Sequence, residues 1–192
     1  MNLRLEPFGG TAQVMKAARI YEYGGPEVFR IEEIPEPAVG PKDVLVRVHA
    51  ASVNPVDTKT RQGMQRAIMF QKFPAVLGLD VSGVVTQVGD QVTQFRVGDE
   101  VFSSPTHRRQ GTYAEVVAMD ESEVALKPKN LTHAEAASIP LVGLTGLQLF
   151  EARGGVKPGQ RVFVQAGAGG VGSFAVQFAK HCGATVATTC SA

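Results

Sequence analysis

Gly167-Ala168-Gly169-Gly170-Val171-Gly172 is the segment whose residue types and spacing speak most directly of chemistry. It fits G-x-G-x-x-G. Arg161-Val162-Phe163-Val164-Gln165 before it reads as a buried strand, rich in β-branched and aromatic residues. After it, Val171, Phe174, Ala175, Phe178 and Ala179 recur at helical spacing and mark one apolar face. In that context the first glycine permits a tight turn, the second lets backbone approach a pyrophosphate, and the third lets the helix pack closely on the strand. The helix N-terminus offers free N–H groups and a positive dipole end to the phosphates. A glycine-rich turn that binds nothing is the alternative, and the flanking strand and helix favour dinucleotide binding over it.

The second strand of this unit, Thr185-Val186-Ala187-Thr188-Thr189, ends in Thr189-Cys190-Ser191. An enzyme that uses NAD usually carries an Asp or Glu about 20 residues past the motif to bind the ribose hydroxyls. Here small polar groups stand there instead. They leave room for a 2′-phosphate, so NADPH is the expected cofactor, with the basic partner of that phosphate expected beyond Ala192.

The elements that must position this turn fall into two regions. Up to about Lys129 the chain reads as short strands and turns. Val44 to Ala50 alternates, with Val44, Val46, Val48 and Ala50 on one face. Further strands are expected at Gly83–Val88, Asp99–Phe102, Tyr113–Val117 and Glu123–Leu126, punctuated by Gly89-Asp90, Gly98-Asp99 and Lys127-Pro128. Such spacing suggests a small barrel or sandwich. Thr132 with Glu135 then forms a capping box before an alanine-rich helix. A further helix is expected over Leu144–Ala152, ended by Gly154-Gly155. The expected organisation is a flexible extension over 1–14, a β-rich domain over 15–139 and the start of an α/β domain over 140–192. A doubly wound domain needs two mononucleotide halves, so the chain reads as the N-terminal part of a longer enzyme, a poor catalyst by itself.

Composition narrows the class. The 192 residues are 44% hydrophobic and 19% charged, as in soluble globular proteins. A net charge of +1 gives no broad electrostatic case for nucleic acid or an anionic membrane. The apolar runs are too short to span a bilayer. Cys182 and Cys190, the two cysteines, lack metal-type spacing and fit a reducing compartment, with the cytoplasm as the default location.

Several segments together resemble one family: Met15-Lys16-Ala17, Tyr23-Gly24-Gly25-Pro26-Glu27-Val28, Val53-Asn54-Pro55-Val56-Asp57, Gly78-Leu79-Asp80-Val81-Ser82-Gly83-Val84-Val85, Gly98-Asp99-Glu100-Val101-Phe102, Gly111-Thr112-Tyr113-Ala114-Glu115, and the glycine turn. The chain resembles the medium-chain dehydrogenase/reductases, in the zinc-independent quinone oxidoreductase (zeta-crystallin-like) and alkenal/enone reductase branch. The resemblance covers Met15 to Ala192. It implies a GroES-like, partly open β-barrel, then a Rossmann domain, with the active site in the cleft between them. It also implies a small quinone or α,β-unsaturated carbonyl substrate and a homo-oligomeric intact enzyme. A low-turnover nucleotide-binding or crystallin-like protein and an enoyl-thioester reductase are the alternatives.

The resemblance also assigns the site. The catalytic zinc ligands of zinc-bearing relatives map onto Asn54, Leu79 and Leu141; two leucines cannot ligate zinc and a lone amide is a poor ligand, so no metal is expected. By resemblance Asn54 faces nicotinamide and substrate as a hydrogen-bond donor, although an Asx turn before Pro55 also explains it. Asp57 is a helix cap or a carboxylate behind the site. Thr145 contacts the nicotinamide or is a packed helical threonine. Asp80 is expected as a satisfied polar group at a strand start, His107-Arg108-Arg109 as solvated surface, Tyr113 as core, and His49, His133 and His181 as structural or exposed.

Overall fold

The computed structural model describes residues 13–68, 70–106 and 109–191. The N-terminal part holds the strands β1 (Val14–Ile20), β2 (Arg30–Pro35) and β3 (Asp43–Ala51), the helix α1 (Pro55–Arg61), and β4 (Ala75–Val76), β5 (Val81–Val88), β6 (Glu100–Ser103), β7 (Val116–Asp120) and β8 (Val124–Leu126). Helices α2 (His133–Ala137) and α3 (Pro140–Glu151) follow, then β9 (Arg161–Val164), α4 (Gly170–His181) and β10 (Thr185–Thr188).

Two antiparallel sheets make the β-rich part, in the orders β7-β3-β5-β6-β8 and β2-β1-β4. Strand β3 lies between β7 and β5, and both its faces are apolar. Val44 and Val46 pack with Val81, Val85, Val101, Val117 and Met119. Leu45, on the opposite face, packs with Met15, Val116 and Ala118 and so joins the two sheets. Register shifts at Leu45/Val46 and Val48/Ala50 bend the β3–β5 pair into its curl. Gly83 lies at that bend, where a Cβ would strike the Arg47 carbonyl oxygen. This is the GroES-like, partly open barrel.

Strands β9 and β10 pair in parallel, Arg161 opposite Thr185 and Val164 opposite Thr188, with α4 as their crossover. That is the βαβ unit expected from the glycine turn, the start of an α/β domain. Helix α3 packs on α4. Gly143 and Gly146 make the contact possible: a Cβ at Gly146 would stand 2.9 Å from the Phe174 ring. Phe174 and Phe178 stack at 6.2 Å, and Phe150 joins Phe178 at 5.7 Å.

Three expectations need correction. Strand β1 begins at Val14, inside the expected extension 1–14, because Val14 pairs with Pro35; residues 1–12 lie outside the described residues. The strand expected from Tyr113 begins only at Val116, since Tyr113 N–H bonds to Leu77 O and Tyr113 O accepts from Ala18 N–H. The helix expected from Leu144 begins at Pro140, where proline's missing N–H costs nothing in the first turn. The expected capping box does form, and its helix runs over His133–Ala137.

Candidate active site

Asn54 is the N-cap of α1, and Pro55 at the first helical position pre-sets the turn. Asn54 and Asp57 form a capping box, in which Asp57 Oδ2 accepts from the Asn54 backbone N–H at 2.8 Å. Both expected roles of Asp57 coexist, because the same carboxylate oxygen accepts from Tyr113 Oη at 3.0 Å. Asp57 is 5% exposed, and burial pushes its carboxyl above the usual range. Burial and the Asp57 charge also push the Tyr113 phenol far up, so it stays protonated. Tyr113 is thus not simply core; it is a hydrogen-bond donor that steadies the carboxylate behind Asn54.

Asp80, fully buried, sits just ahead of β5. Its Oδ2 accepts from Ser52 Oγ and from Asn54 Nδ2, each at 2.7 Å. Its Oδ1 accepts from the Leu141 N–H at 2.8 Å, in the first turn of α3. Asp80 is therefore a satisfied polar group, as expected, but its partners make it the hub that joins three segments of the site. Burial pushes its carboxyl upward against the pull of these three donors.

Asp80 fixes which way the Asn54 amide faces. The amide nitrogen donates to Asp80 Oδ2 and, at 3.2 Å, lies within reach of Ser52 Oγ. Ser52 Oγ is itself 2.7 Å from Asp80 Oδ2, so the two acceptors lie along one edge of the amide and its second N–H remains, beside Oδ1, for other partners.

The cleft itself lies between the Ser52–Val56 loop, the start of α3 and the start of α4, with a volume of about 800 Å³. Asn54, Leu141, Val142, Gly170, Val171 and Phe174 are among its lining residues, and none of the described residues that line it is titratable. The glycine turn thus faces the Asn54 loop across this space. Gly167 meets the end of β10, where a Cβ would strike Thr188 Oγ1. At Gly172 a Cβ would strike the Ala166 carbonyl oxygen, which is the close helix–strand approach the third glycine permits. Gly169 is different: a Cβ there would meet only Ala166 O, at 3.3 Å. The open side of the turn and the N–H groups of Gly170, Val171 and Gly172, which have no acceptor within the helix, fit a pyrophosphate. Ala168 completes the turn, whose bend is carried by Ala166 at φ 56°.

Thr189 is tied to the turn, since its Oγ1 accepts from Ala166 N–H at 3.1 Å and its carbonyl accepts from Gly167 N–H at 2.8 Å. Cys190 and Ser191 follow, exposed. Thr145 is not brought to the cleft: its hydroxyl donates to Leu141 O at 2.7 Å, and it is absent from the lining residues.

Arg109 is exposed, as expected, yet it is not unpartnered. It forms a two-pronged pair with Asp43, at 2.8 and 2.6 Å, and Asp43 is 5% exposed. His107 and Arg108 lie outside the described residues. Spacing did not reveal that Ser82 Oγ lies 2.8 Å from His133 Nδ1, with His133 Nε2 3.4 Å from Glu100. The grouping has the residue types of a hydrolytic triad, yet Ser82 is fully buried and its hydroxyl donates to Val101 O. It ties α2 to the sheet. No group of three or more His, Cys, Asp or Glu side chains able to hold a metal ion exists among the described residues. No helix there is long and apolar enough to cross a membrane.

A curled β-domain opening through a short linker onto a glycine-turn βαβ unit, with a cleft at the junction, defines a class of two-part nucleotide-dependent proteins. Residues 40–129 match the alcohol dehydrogenase GroES-like domain. The chain belongs to the medium-chain dehydrogenase/reductases, among their quinone oxidoreductase-like members. It is 40% identical to the human NAD(P)H oxidoreductase RTN4IP1, mitochondrial, over 98% of this chain and 52% of that protein. It is 41% identical to the NADPH-dependent alkenal/one oxidoreductase, chloroplastic, of Arabidopsis thaliana, over 87% of this chain and 45% of that protein. The quinone oxidoreductase structure from Coxiella burnetii superposes with a TM-score of 0.84 at 38% identity, over 93% of this chain and 57% of that one. The chain spans about half the length of the curated relatives it matches.

Proposed function

We propose that this chain forms the substrate-facing part, residues 15–139, and the first nucleotide-binding unit, residues 140–192, of an NADPH-dependent reductase of quinones or α,β-unsaturated carbonyls. The observation that carries the reading is the cleft, in which the glycine turn and the Asn54 loop face one another across a space without titratable groups. When bound, the cofactor supplies a hydride from its reduced nicotinamide. The chain's own part is to bind and orient. Gly169 and the first turn of α4 receive the pyrophosphate, and Asn54 hydrogen-bonds the nicotinamide end. Apolar side chains such as Val142 and Phe174 keep water from the reacting face.

A reduction that adds hydride to an electron-poor carbon needs no strong acid at the site, and water can supply the closing proton. Residue types support a metal-free reaction: Leu79 and Leu141 have no ligand atoms in their side chains, and Asn54's amide is committed to Asp80. The names of the plant alkenal/one oxidoreductase and the bacterial quinone oxidoreductase support the acceptor class. NADPH oxidation followed with a panel of quinones and enones, beside zinc analysis of the purified protein, tests the reading. Turnover of electron-poor acceptors with far less than one zinc per chain is expected. Cofactor binding without turnover would favour a binding protein, and stoichiometric zinc would overturn the metal-free chemistry.

A further inference from the structure

Asp80 has a place in the site that neither its strand-start position nor its class explains. It is fully buried, carries no salt bridge among the described residues, and accepts from Ser52, Asn54 and Leu141. All three partners line the cleft, and Leu141 lies in the first turn of the helix that packs against the glycine-turn helix. A carboxylate is acceptor-only, so it dictates the orientation of an amide beside it; the amide must present its NH₂. A leucine or methionine of similar bulk would leave the Asn54 carboxamide free to turn over and the Leu141 N–H without a partner.

We propose that Asp80 is a positioning residue: it fixes the Asn54 carboxamide with its NH₂ turned toward Asp80, and it locks the first turn of α3 to the Asn54 loop, so that Asn54 meets the nicotinamide end of the cofactor in one orientation. The cofactor half of this statement rests on the reading above; the orientation half does not. Because Asp80 accepts on both oxygens, the geometry also predicts a reciprocal exchange. With Asn at 80 and Asp at 54, the amide N–H at 80 donates to the carboxylate at 54, and the carbonyl at 80 still accepts from Leu141. With Asp80→Asn alone, two NH₂ groups oppose each other. With Asn54→Asp alone, two carboxylates do.

The test is the full cycle of Asp80→Asn, Asn54→Asp and the double exchange in the full chain, read by thermal unfolding and by nicotinamide fluorescence on titration with NADPH. Each single variant should unfold several degrees earlier, and the exchange should recover most of that loss. Each single variant should also weaken NADPH binding about tenfold, the loss of one hydrogen bond, and the exchange should return it to within about threefold. Simple additivity of the two single losses, in stability and in binding, would overturn the proposal. So would Asp80→Asn binding NADPH as the unaltered chain does. If the unaltered chain shows no NADPH binding, the cofactor reading fails, and the stability cycle still decides whether Asp80 orients Asn54.

Discussion

The Leu141 N–H donates to Asp80 Oδ1 at 2.8 Å across 61 positions of sequence, joining the first turn of α3 to the start of β5. First-turn N–H groups have no acceptor within their helix, and a carboxylate there is favoured by the helix dipole. The bond has a mechanical consequence. Helix α3 packs on α4, so the bond also fixes the helix against which the glycine-turn helix rests.

Asp80→Leu removes this tie together with the acceptor of Ser52 and Asn54. Three donors lose their partner in a buried setting, where each unsatisfied group costs about 1–3 kcal/mol. A loss of roughly 3 kcal/mol or more is expected, partly offset by relief of the buried charge. Urea unfolding of the variant measures it; a loss below about 1 kcal/mol would contradict the hub role.

The glycines of the turn separate by function. Gly172→Val should destabilise the βαβ unit, because its Cβ meets the Ala166 backbone carbonyl, which cannot move aside as a side chain can. Gly169→Val should leave the fold largely intact, since a Cβ there has one neighbour at 3.3 Å, and should abolish dinucleotide binding. Circular dichroism melts beside cofactor titration distinguish the two. Unchanged cofactor affinity in Gly169→Val would remove the main support for a pyrophosphate at this turn.

Cofactor choice follows from the end of β10. Thr189, Cys190 and Ser191 place no carboxylate near the ribose, and Thr189 is already bonded to the turn. NADPH should therefore bind better than NADH, by about tenfold or more, the scale of one or two added charge-assisted hydrogen bonds. Side-by-side titrations check this, and a preference for NADH would refute it.

Asp43 and Arg109 set part of the pH dependence. The hydrogen bonds from Arg109 hold the Asp43 carboxyl below its ordinary range. The native state therefore binds this proton less readily than the unfolded chain does. The stabilisation is complete above the ordinary carboxylate range and is lost as pH falls through the lowered native value. Arg109 is 40% exposed, so solvent screening limits the pair to about 1 kcal/mol. Arg109→Gln should lower stability near neutral pH by that amount and flatten the fall between mildly and strongly acidic conditions. An unchanged acid limb would show that the pair contributes nothing.

Among the described residues, the apolar clusters of buried side chains all lie between Met15 and Met119. Among those after Pro140, Ala175 and Ala179 are the buried apolar side chains, while Phe163 is 67% exposed. Limited proteolysis and amide exchange should reach β9, α4 and β10 well before the β-rich part. Cleavage first within β3 or β5 would contradict this ordering.

Sequence by itself determined what is local. The glycine turn, its flanking strand and helix, and the Thr132–Glu135 capping box are written in residues within a few positions of each other, where backbone sterics and helical or strand period leave few choices. The same reasoning placed Asn54 and Asp57 at a helix start after a strand. Only the tertiary structure decided what those groups can do. The partner that takes Asn54's amide is 26 positions away, the donor to Asp57 56 away, and the guanidinium that pairs with Asp43 66 away. Such partners are chosen by how the sheets curl and where α3 docks. No period or spacing encodes them, which is why the sequence shows Asn54 as a turn residue and only the fold shows Asp80 holding its amide.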